Sequence, residues 1–420
     1  MRSKSLFRTK EIITKMSNPS EFDQSYQDSS FIVVRYAIET KHRQLSQVIE
    51  NIAFGMSVGT EHLVRNGHTE LYYPTTFDPS FKSEIMYVQS VTARKVLVDI
   101  ALNPKVMDIE LCGVPLLLNF IAGDTFGSAY GAEYIKLIGL HLPSSILETF
   151  PGPQFGLNGI REIVGTRESG RPHLGLLLKP NVGVSAEFYA NIAYEAAMGG
   201  VDFIKEDELL VNPTICPLEK RVQAITTALK QAHDRTGATV LYAPNITSNP
   251  WKLKDLAHLV IRLGANALMV NFVALGFAPV QMLAQDSSIE VPIHLHRSMH
   301  DIFNRNPTGI SLDVITQLAR LVGGDQIHVG PVIGGLYSSD EVIRYTSLLK
   351  RPMEHINSSM PVVSRSSTEA IRPTIEMLGQ DVTILTDAEV YQHSKGIRDA
   401  ITEFRANIEQ VVGYSNSRSL

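Results

Sequence analysis

The segment VDFIKEDE (201–208) closes a short apolar run with one lysine and three acids. An extended chain alternates its side chains, so Lys205 and Asp207 share one side, and Glu208 can join them where the chain bends away. Two carboxylates alone make a weak site for a hard cation, and an ammonium beside them would repel one. An amine converted to a carbamate is instead an oxygen ligand. Mg²⁺ favours octahedral oxygen sites that leave positions open for water and substrate. A salt-bridged Lys–acid cluster at a strand end explains the same residues, and the chemistry of the segment alone leaves both readings open.

A second lysine, Lys179, ends the apolar run LGLLLKPN (174–181). Desolvation there would lower its pKa from about 10.4 and make a neutral amine available as a base; the plain alternative is a lysine snorkelling outwards. Further along, PIHLHRSMH (292–300) supplies His296, Arg297 and His300, and QIHVGP (326–331) supplies His328. A guanidinium suits a bidentate grip on phosphate, and histidines add donors beside it. His294 alternates with His296 and reads as packing or as support.

The elements that must position these groups follow a rhythm. Short apolar runs, each closed by polar residues, recur at 174–181, 201–208, 240–245, 267–272, 292–297, 326–331, 361–366 and 382–387. Helix-period segments lie between them. One opens at Ser185, a plausible N-cap, another at Ser311, and both end in Gly-Gly. Eight strand–helix units in about 240 residues give the count and size of a (β/α)₈ barrel. Strands buried on both faces are continuously apolar, as these are. A doubly wound sheet fits the eight repeats less well, and no GxGxxG follows the first strand. Barrel sites lie at the C-terminal strand ends. In order those ends carry Lys179 and Asn181; Lys205, Asp207 and Glu208; Asn245; Asn271; His294, His296 and Arg297; His328; Ser364 and Arg365; and Asp387.

Ahead of the barrel, strand-like runs at 31–39, 84–90, 94–101 and 115–120 and a helix at 45–54 predict a small α+β domain over 31–148. The segment TFPGPQFG (149–156) reads as the connection, with the barrel over 149–411, an exposed arm at 1–30 and a tail at 412–420. The net charge of -5 argues against an electrostatic nucleic-acid binder. No apolar run approaches the ~20 residues of a membrane span. The two cysteines, Cys112 and Cys216, form no metal-ligand spacing or disulfide framework, read as ordinary semi-buried residues, and fit a cytoplasmic setting.

These segments resemble the RuBisCO superfamily. GGVDFIKEDE (199–208) is similar to its GGDFxKDDE, LLLKPNVGVS (176–185) to TxKPKLGLS, HRSMH (296–300) to HRAMH, and IHVGP (327–331) to IHVGT. In the N-terminal part FIAGDTFG (120–127) resembles its GNVFG segment and SVGT (57–60) its STGT. The order is the same, and the resemblance runs from about Phe31 to Arg405. It implies an N-terminal ferredoxin-like α+β domain before the barrel. It also implies Mg²⁺ on a carbamylated Lys205 (N6-carboxylysine) with Asp207 and Glu208. Lys179 would serve enolisation, with His296 near the substrate hydroxyls, Arg297 and His328 on a phosphate, and Ser364 on the substrate. A homodimer with shared sites is implied too, Asp124 and Thr60 reaching across.

The departures bear on the reaction. Asn181 stands where the carboxylases have a second lysine after KP, and Asp124 where they have an asparagine contributed by the partner. GPVIGG (330–335) lacks the lysine of the mobile loop, and Gly55 replaces the acid before SSTGT. SRSST (364–368) and ILTDAEVYQH (384–393) replace the glycine-rich site for the second phosphate, putting Asp387 and Glu389 where backbone N–H groups would cradle it. The resemblance therefore points to a non-carboxylating RuBisCO-like protein forming an enediolate on a singly phosphorylated sugar or sugar acid. Arg365, in place of a phosphate-cradling glycine, could meet a carboxylate. That favours decarboxylation, or carboxyl transfer or hydrolysis, of a β-keto acid like 3-oxo-isoapionate 4-phosphate. Methylthio-ribulose-phosphate isomerase or diketo-methylthiopentyl-phosphate enolase activity is the alternative, and a non-catalytic binding relative the third reading.

Overall fold

The computed structural model describes residues 22, 24–40, 45–58, 78–128, 131–305, 307–364, 366–386 and 388–418. The chain forms two compact units, Met1–Thr149 with His300–Ile315, and Phe150–Met299 with Thr316–Leu420.

The first unit is built on a five-stranded sheet in the order β10-β4-β1-β3-β2. Strand β1 (Ile32–Glu39) lies antiparallel between β3 (Lys95–Leu102) and β4 (Tyr134–His141), and β2 (Glu84–Ser90) pairs antiparallel with β3. The fifth strand, β10 (Gly309–Ile310), runs parallel to β4 and comes from the segment that leaves the barrel after Met299. The helix Leu45–Gly55 buries Val48, Ile49, Ile52, Ala53 and Phe54, one stripe at helical spacing.

The expected strand at 115–120 is instead helical: Ile109–Leu118 followed by a π-helical turn, Asn119–Gly123. A short continuous apolar run carries no period that separates strand from helix. The deciding residue lies upstream, where the Asp108 carboxylate accepts the N–H of Leu111 at 3.0 Å and caps the helix. The stretch Ile109–Gly127, at mean hydropathy 1.4, is long and apolar enough to cross a membrane by length and composition, contrary to the sequence expectation. It is not one straight helix, because Gly113 leaves the helical region (φ 61°, ψ −157°) and Pro115 follows it.

The second unit is an eight-stranded parallel sheet in the order β7-β6-β5-β13-β12-β11-β9-β8. The strands are β5 (His173–Leu177), β6 (Phe203–Lys205), β7 (Leu241–Ala243), β8 (Leu268–Asn271), β9 (Ile293–His296), β11 (Gln326–His328), β12 (Met360–Val363) and β13 (Thr383–Thr386). One falls in each of the eight predicted runs. The bridge between Asn245 and Met269, with Ala267 N–H donating to Tyr242 O at 3.1 Å, closes β7 on β8 into a barrel. The helix Ala186–Met198 is capped by Ser185, whose Oγ accepts the Phe188 N–H at 3.3 Å, and it ends on Gly199-Gly200. Gly199 is obligatory by space: a Cβ there would lie 2.6 Å from Arg398 O. The C-terminal helix, Ile397–Arg418, passes through the residues expected to form a tail from 412. The single Gly413 within it costs only about 1 kcal/mol in a helix.

The N-terminal end of the barrel is a closed floor. Ile160, from the helix Gly156–Val164, joins Phe203, Leu241, Met269, Met360, Val362 and Leu385 in one buried cluster. Asp325 accepts the backbone N–H groups of Phe155 and Gly156 at 2.7 Å each and that of Ile293 at 2.8 Å. Asp202 takes both Arg171 guanidinium nitrogens at 2.8 and 2.7 Å, the Leu174 N–H at 2.8 Å, and Arg405.

Candidate active site

At the opposite end, β6 stops at Lys205, so the acids that follow are on a turning chain at the barrel mouth. Three consecutive carboxylates receive three different environments. Glu206 is fully buried and fully engaged. It accepts Arg221 Nε at 2.6 Å and Nη2 at 3.0 Å, the Tyr242 hydroxyl at 2.6 Å and the Asn245 N–H at 2.9 Å. Nothing is left for a ligand. Asp207, equally buried, accepts Leu209 N–H at 3.0 Å and holds the Lys179 ammonium at 2.7 Å. Glu208 keeps a third of its side chain exposed and lies 3.8 Å from His296 Nε2. Its direction is set from behind: Asn245 Nδ2 donates to the carbonyls of Asp207 and Glu208 at 3.0 and 3.1 Å, and Asn271 Nδ2 to that of Glu208 at 3.1 Å.

Lys205 is 1 % exposed, and its Nζ has no protein partner. Burial pushes the amine down to about 8, against the pull of Glu208 and Asp207. Desolvation was expected to act on Lys179. That lysine is instead about a third exposed and held by ion pairing, its Nζ donating to Asn181 Oδ1 at 2.5 Å and to Asp207. Its backbone N–H donates to the Tyr391 hydroxyl at 3.0 Å, which in turn donates to Leu177 O at 2.9 Å.

Among the described residues no three His, Cys, Asp or Glu side chains converge as a metal site. The set that comes together is Lys205 with Asp207 and Glu208, the two acids whose charges pull most on its amine. It fits a hard cation once the buried, partnerless amine carries a carbamate, because the amine is held toward the neutral, CO₂-reactive form and sits among acids that lack a third oxygen ligand. Salt bridging is found for two of the turn's acids, Asp207 with Lys179 and Glu206 with Arg221, but not for Lys205 itself.

The wall across from β6 is a histidine stack. His296 Nδ1 lies 3.0 Å from Asn271 Oδ1, an acceptor, so Nδ1 carries the hydrogen and Nε2 faces the mouth. The rings of His296 and His328 meet edge to face at 4.7 Å between centroids, those of His328 and His294 at 5.0 Å. Burial, reinforced by His296, Lys205, His294 and Arg297, keeps His328 far below the usual histidine range, so it is neutral. Arg297 is buried, with its guanidinium 5.3 Å over the Tyr337 ring. The close approach needs Gly330: a Cβ there would lie 2.5 Å from Arg297 Nη2, and its φ is +95°. A neutral donor beside a desolvated guanidinium is suited to an anion.

Ser364 is half-buried just beyond β12. Arg365, Asp387 and Thr60 lie outside the described residues. Glu389 bonds to Thr368, accepting its N–H at 3.0 Å and its hydroxyl at 2.7 Å. Asp124 opens the helix Asp124–Ser128 of the first unit and is exposed; His300, also in that unit, pairs with Asp301 at 3.4 Å. The cysteines are one exposed (Cys112) and one buried (Cys216), not both semi-buried. Arg221, Tyr242, Tyr337 and Tyr391 support the site without having been anticipated. Only the buried positions of a 19-residue amphipathic helix hinted at Arg221.

Comparison with known proteins agrees with this arrangement. The profile of the ribulose bisphosphate carboxylase large chain, catalytic domain, matches residues 157–412. A ribulose bisphosphate carboxylase-like protein of Archaeoglobus fulgidus is 29% identical over 415 residues, 96% of this chain and 92% of that protein. A ribulose bisphosphate carboxylase of Methanocaldococcus jannaschii is 30% identical over 393 residues, 89% of this chain and 90% of the relative. The crystal structure of the octameric Rubisco of Pyrococcus horikoshii superposes with a TM-score of 0.84 at 28% identity, covering 91% of this chain and 88% of that one. The eight-stranded barrel is thus the fold shared with these relatives, and the chain belongs to the RuBisCO large-chain family.

Proposed function

We propose that this protein is a non-carboxylating member of the family, a Mg²⁺-dependent enzyme that forms an enediolate on a singly phosphorylated sugar acid. The observation that carries the reading is the turn after β6, where a buried amine without a partner stands beside Asp207 and Glu208. Carbamylated Lys205, Asp207 and Glu208 would hold the ion, which when bound stabilises negative charge developing on the substrate oxygens. Lys179, on the rim of the same cluster, carries a mobile proton for the reacting carbon. Asn181 and Asp207 fix its Nζ. His296 presents Nε2 to substrate hydroxyls, and Arg297 with His328 anchors one phosphate and so sets the register.

The loop Gly330–Gly335 contains no lysine to stabilise a nascent carboxylate, which supports a reaction other than carboxylation. One feature supports a single phosphate. The Thr368 N–H, at the position of the second phosphate grip, is taken by the Glu389 carboxylate. By the resemblance Arg365 stands in place of a phosphate-cradling glycine, and a cation at that position would meet a carboxylate, which favours decarboxylation of a β-keto acid of the 3-oxo-isoapionate 4-phosphate type, or the related carboxyl transfer or hydrolysis. The working unit is a cytoplasmic homodimer in which Asp124 completes a partner's site.

The test is CO₂ release from the β-keto acid phosphate with Mg²⁺ and bicarbonate, with Lys205→Ala as control. Release that vanishes in the variant is expected. No release, with deuterium from heavy water entering a methylthio-sugar phosphate, moves the assignment to an isomerase or enolase. Absence of Mg²⁺ binding at millimolar concentration would leave a binding protein.

A further inference from the structure

Beneath the mouth, the barrel interior holds more polar atoms than its protein partners satisfy. His294, one residue pair below His296 on β9, is 1 % exposed, and neither ring nitrogen has a well-formed hydrogen bond. Gln326, opposite it in register on β11, is equally buried; its Nε2 donates to Thr383 Oγ1 at 3.4 Å, and its Oε1 has no well-formed bond, lying only close enough to His294 to interact weakly with it. His328 Nε2 and Lys205 Nζ complete the set. These are neighbours. The His294 ring is 5.0 Å from that of His328 and 5.0 Å from Phe203, two residues before Lys205 on β6.

Burying a polar group unpaired costs about 1–3 kcal/mol, and barrel interiors are normally filled by branched apolar side chains. An apolar filling would be favoured here unless something bonded to these atoms. The composition is balanced for water: a neutral imidazole offers one donor and one acceptor, Gln326 Oε1 an acceptor, and Lys205 Nζ a donor, either as an amine or through the one N–H that a carbamate keeps. A buried water needs two to four such partners. Lys205 from β6 acts on both His294 and His328, and Arg297 on His328, while Thr383 from β13 bonds to Gln326.

We propose that one or more ordered waters bind in the barrel interior between His294, Gln326, His328 and Lys205, and that His294 is a positioning residue which fixes the tautomer of His328 through them. A neutral histidine has one N–H, and the hydrogen bond at its inner nitrogen decides which nitrogen presents it outwards. His294 thus acts on the anion site without touching the anion. This rests on the reading of Arg297 and His328 as an anion grip.

The experiment uses full-length protein labelled with ¹⁵N-histidine, with His328→Gln to assign the His328 resonances and inorganic phosphate as the probe. His294→Phe keeps a ring of similar size and removes both nitrogens; His294→Gln restores a donor and an acceptor. His294→Phe is expected to change the ¹⁵N tautomer signature of His328 and to weaken phosphate binding by about five- to tenfold, roughly one hydrogen bond. His294→Gln is expected to recover part of both. Should His294→Phe fold with an unaltered thermal transition and leave the His328 signature as in wild type, the positioning role is wrong. A wild-type protein that ignores phosphate, while its His328 signature still responds to His294→Phe, would sustain the internal network and sink the anion-grip assignment instead. If His294→Phe does not fold, the comparison of His294→Gln with wild type decides on the same signature.

Discussion

The two ends of the barrel are made from the same residue types and treat them oppositely. On the floor, Asp325 receives three backbone N–H groups, and Asp202 two arginines and an N–H. At and beneath the mouth, Lys205, His328 and His294 are as deeply buried yet keep polar atoms with no protein partner; His173 Nδ1, at the start of β5, is an exception on the floor. Buried polar groups are almost always satisfied, so the unsatisfied ones mark where a fold keeps capacity for something other than itself. The boundary runs along three residues: Glu206 is saturated by Arg221, Tyr242 and Asn245, whereas the Glu208 side chain has only a long 3.8 Å contact with His296, its backbone being held by Asn245 and Asn271.

That contrast can be broken at either end. The largest effect is expected for Lys205→Met, which removes the buried amine. Activity falls by at least about a thousandfold, the loss expected when a centre of charge stabilisation is removed, while the unfolding temperature rises. A drop in both would mean that Lys205 is structural. On the floor, Asp325→Ala strands three buried N–H groups and costs about 4 kcal/mol in denaturant unfolding. A cost below about 1 kcal/mol would show that water replaces the carboxylate.

Next in size is a pH effect. The Lys205 amine loses its proton near 8 in the fold but only near 10.5 in the unfolded chain. Between those values the unfolded state binds more protons, so native stability rises with pH across that window and is flat outside it. In metal-free, CO₂-free buffer, wild type is expected to gain stability relative to Lys205→Met from pH 8 to 10.5; parallel curves would refute the assignment. The smallest effect is for Gly330→Ala, which pushes on Arg297 and is expected to weaken phosphate binding about tenfold, some 1.4 kcal/mol, with a further cost of about 1 kcal/mol in unfolding because its φ of +95° suits glycine.

Much of this was readable in the chain. The eight barrel strands are legible because burial on both faces makes each a short apolar run ending in polar residues, and the site residues sit on those ends. What was not legible depends on contacts distant in sequence. Tyr391 reaches the backbone of Lys179 only because the eighth strand closes beside the first. Arg221 is one charged residue among several on its helix until the fold sets it against Glu206. The helix at Ile109–Leu118 was misread because its apolar run has no period, and β4 (Tyr134–His141) and the two-residue β10 were not anticipated.

The position of β10 has a consequence for how the protein is made. Ile135 N–H donates to Thr308 Oγ1 across 173 residues of chain, and the parallel pair of β4 with β10 lies beside that bond. A ribosome adding about 5–20 residues per second leaves the first unit one strand short for roughly ten to thirty seconds, while five of the eight barrel strands are made. Edge strand β4 is open to pairing with another chain throughout that interval. Nor does a cut at the 149/150 junction yield two whole pieces, because the first unit takes its last strand from the middle of the second.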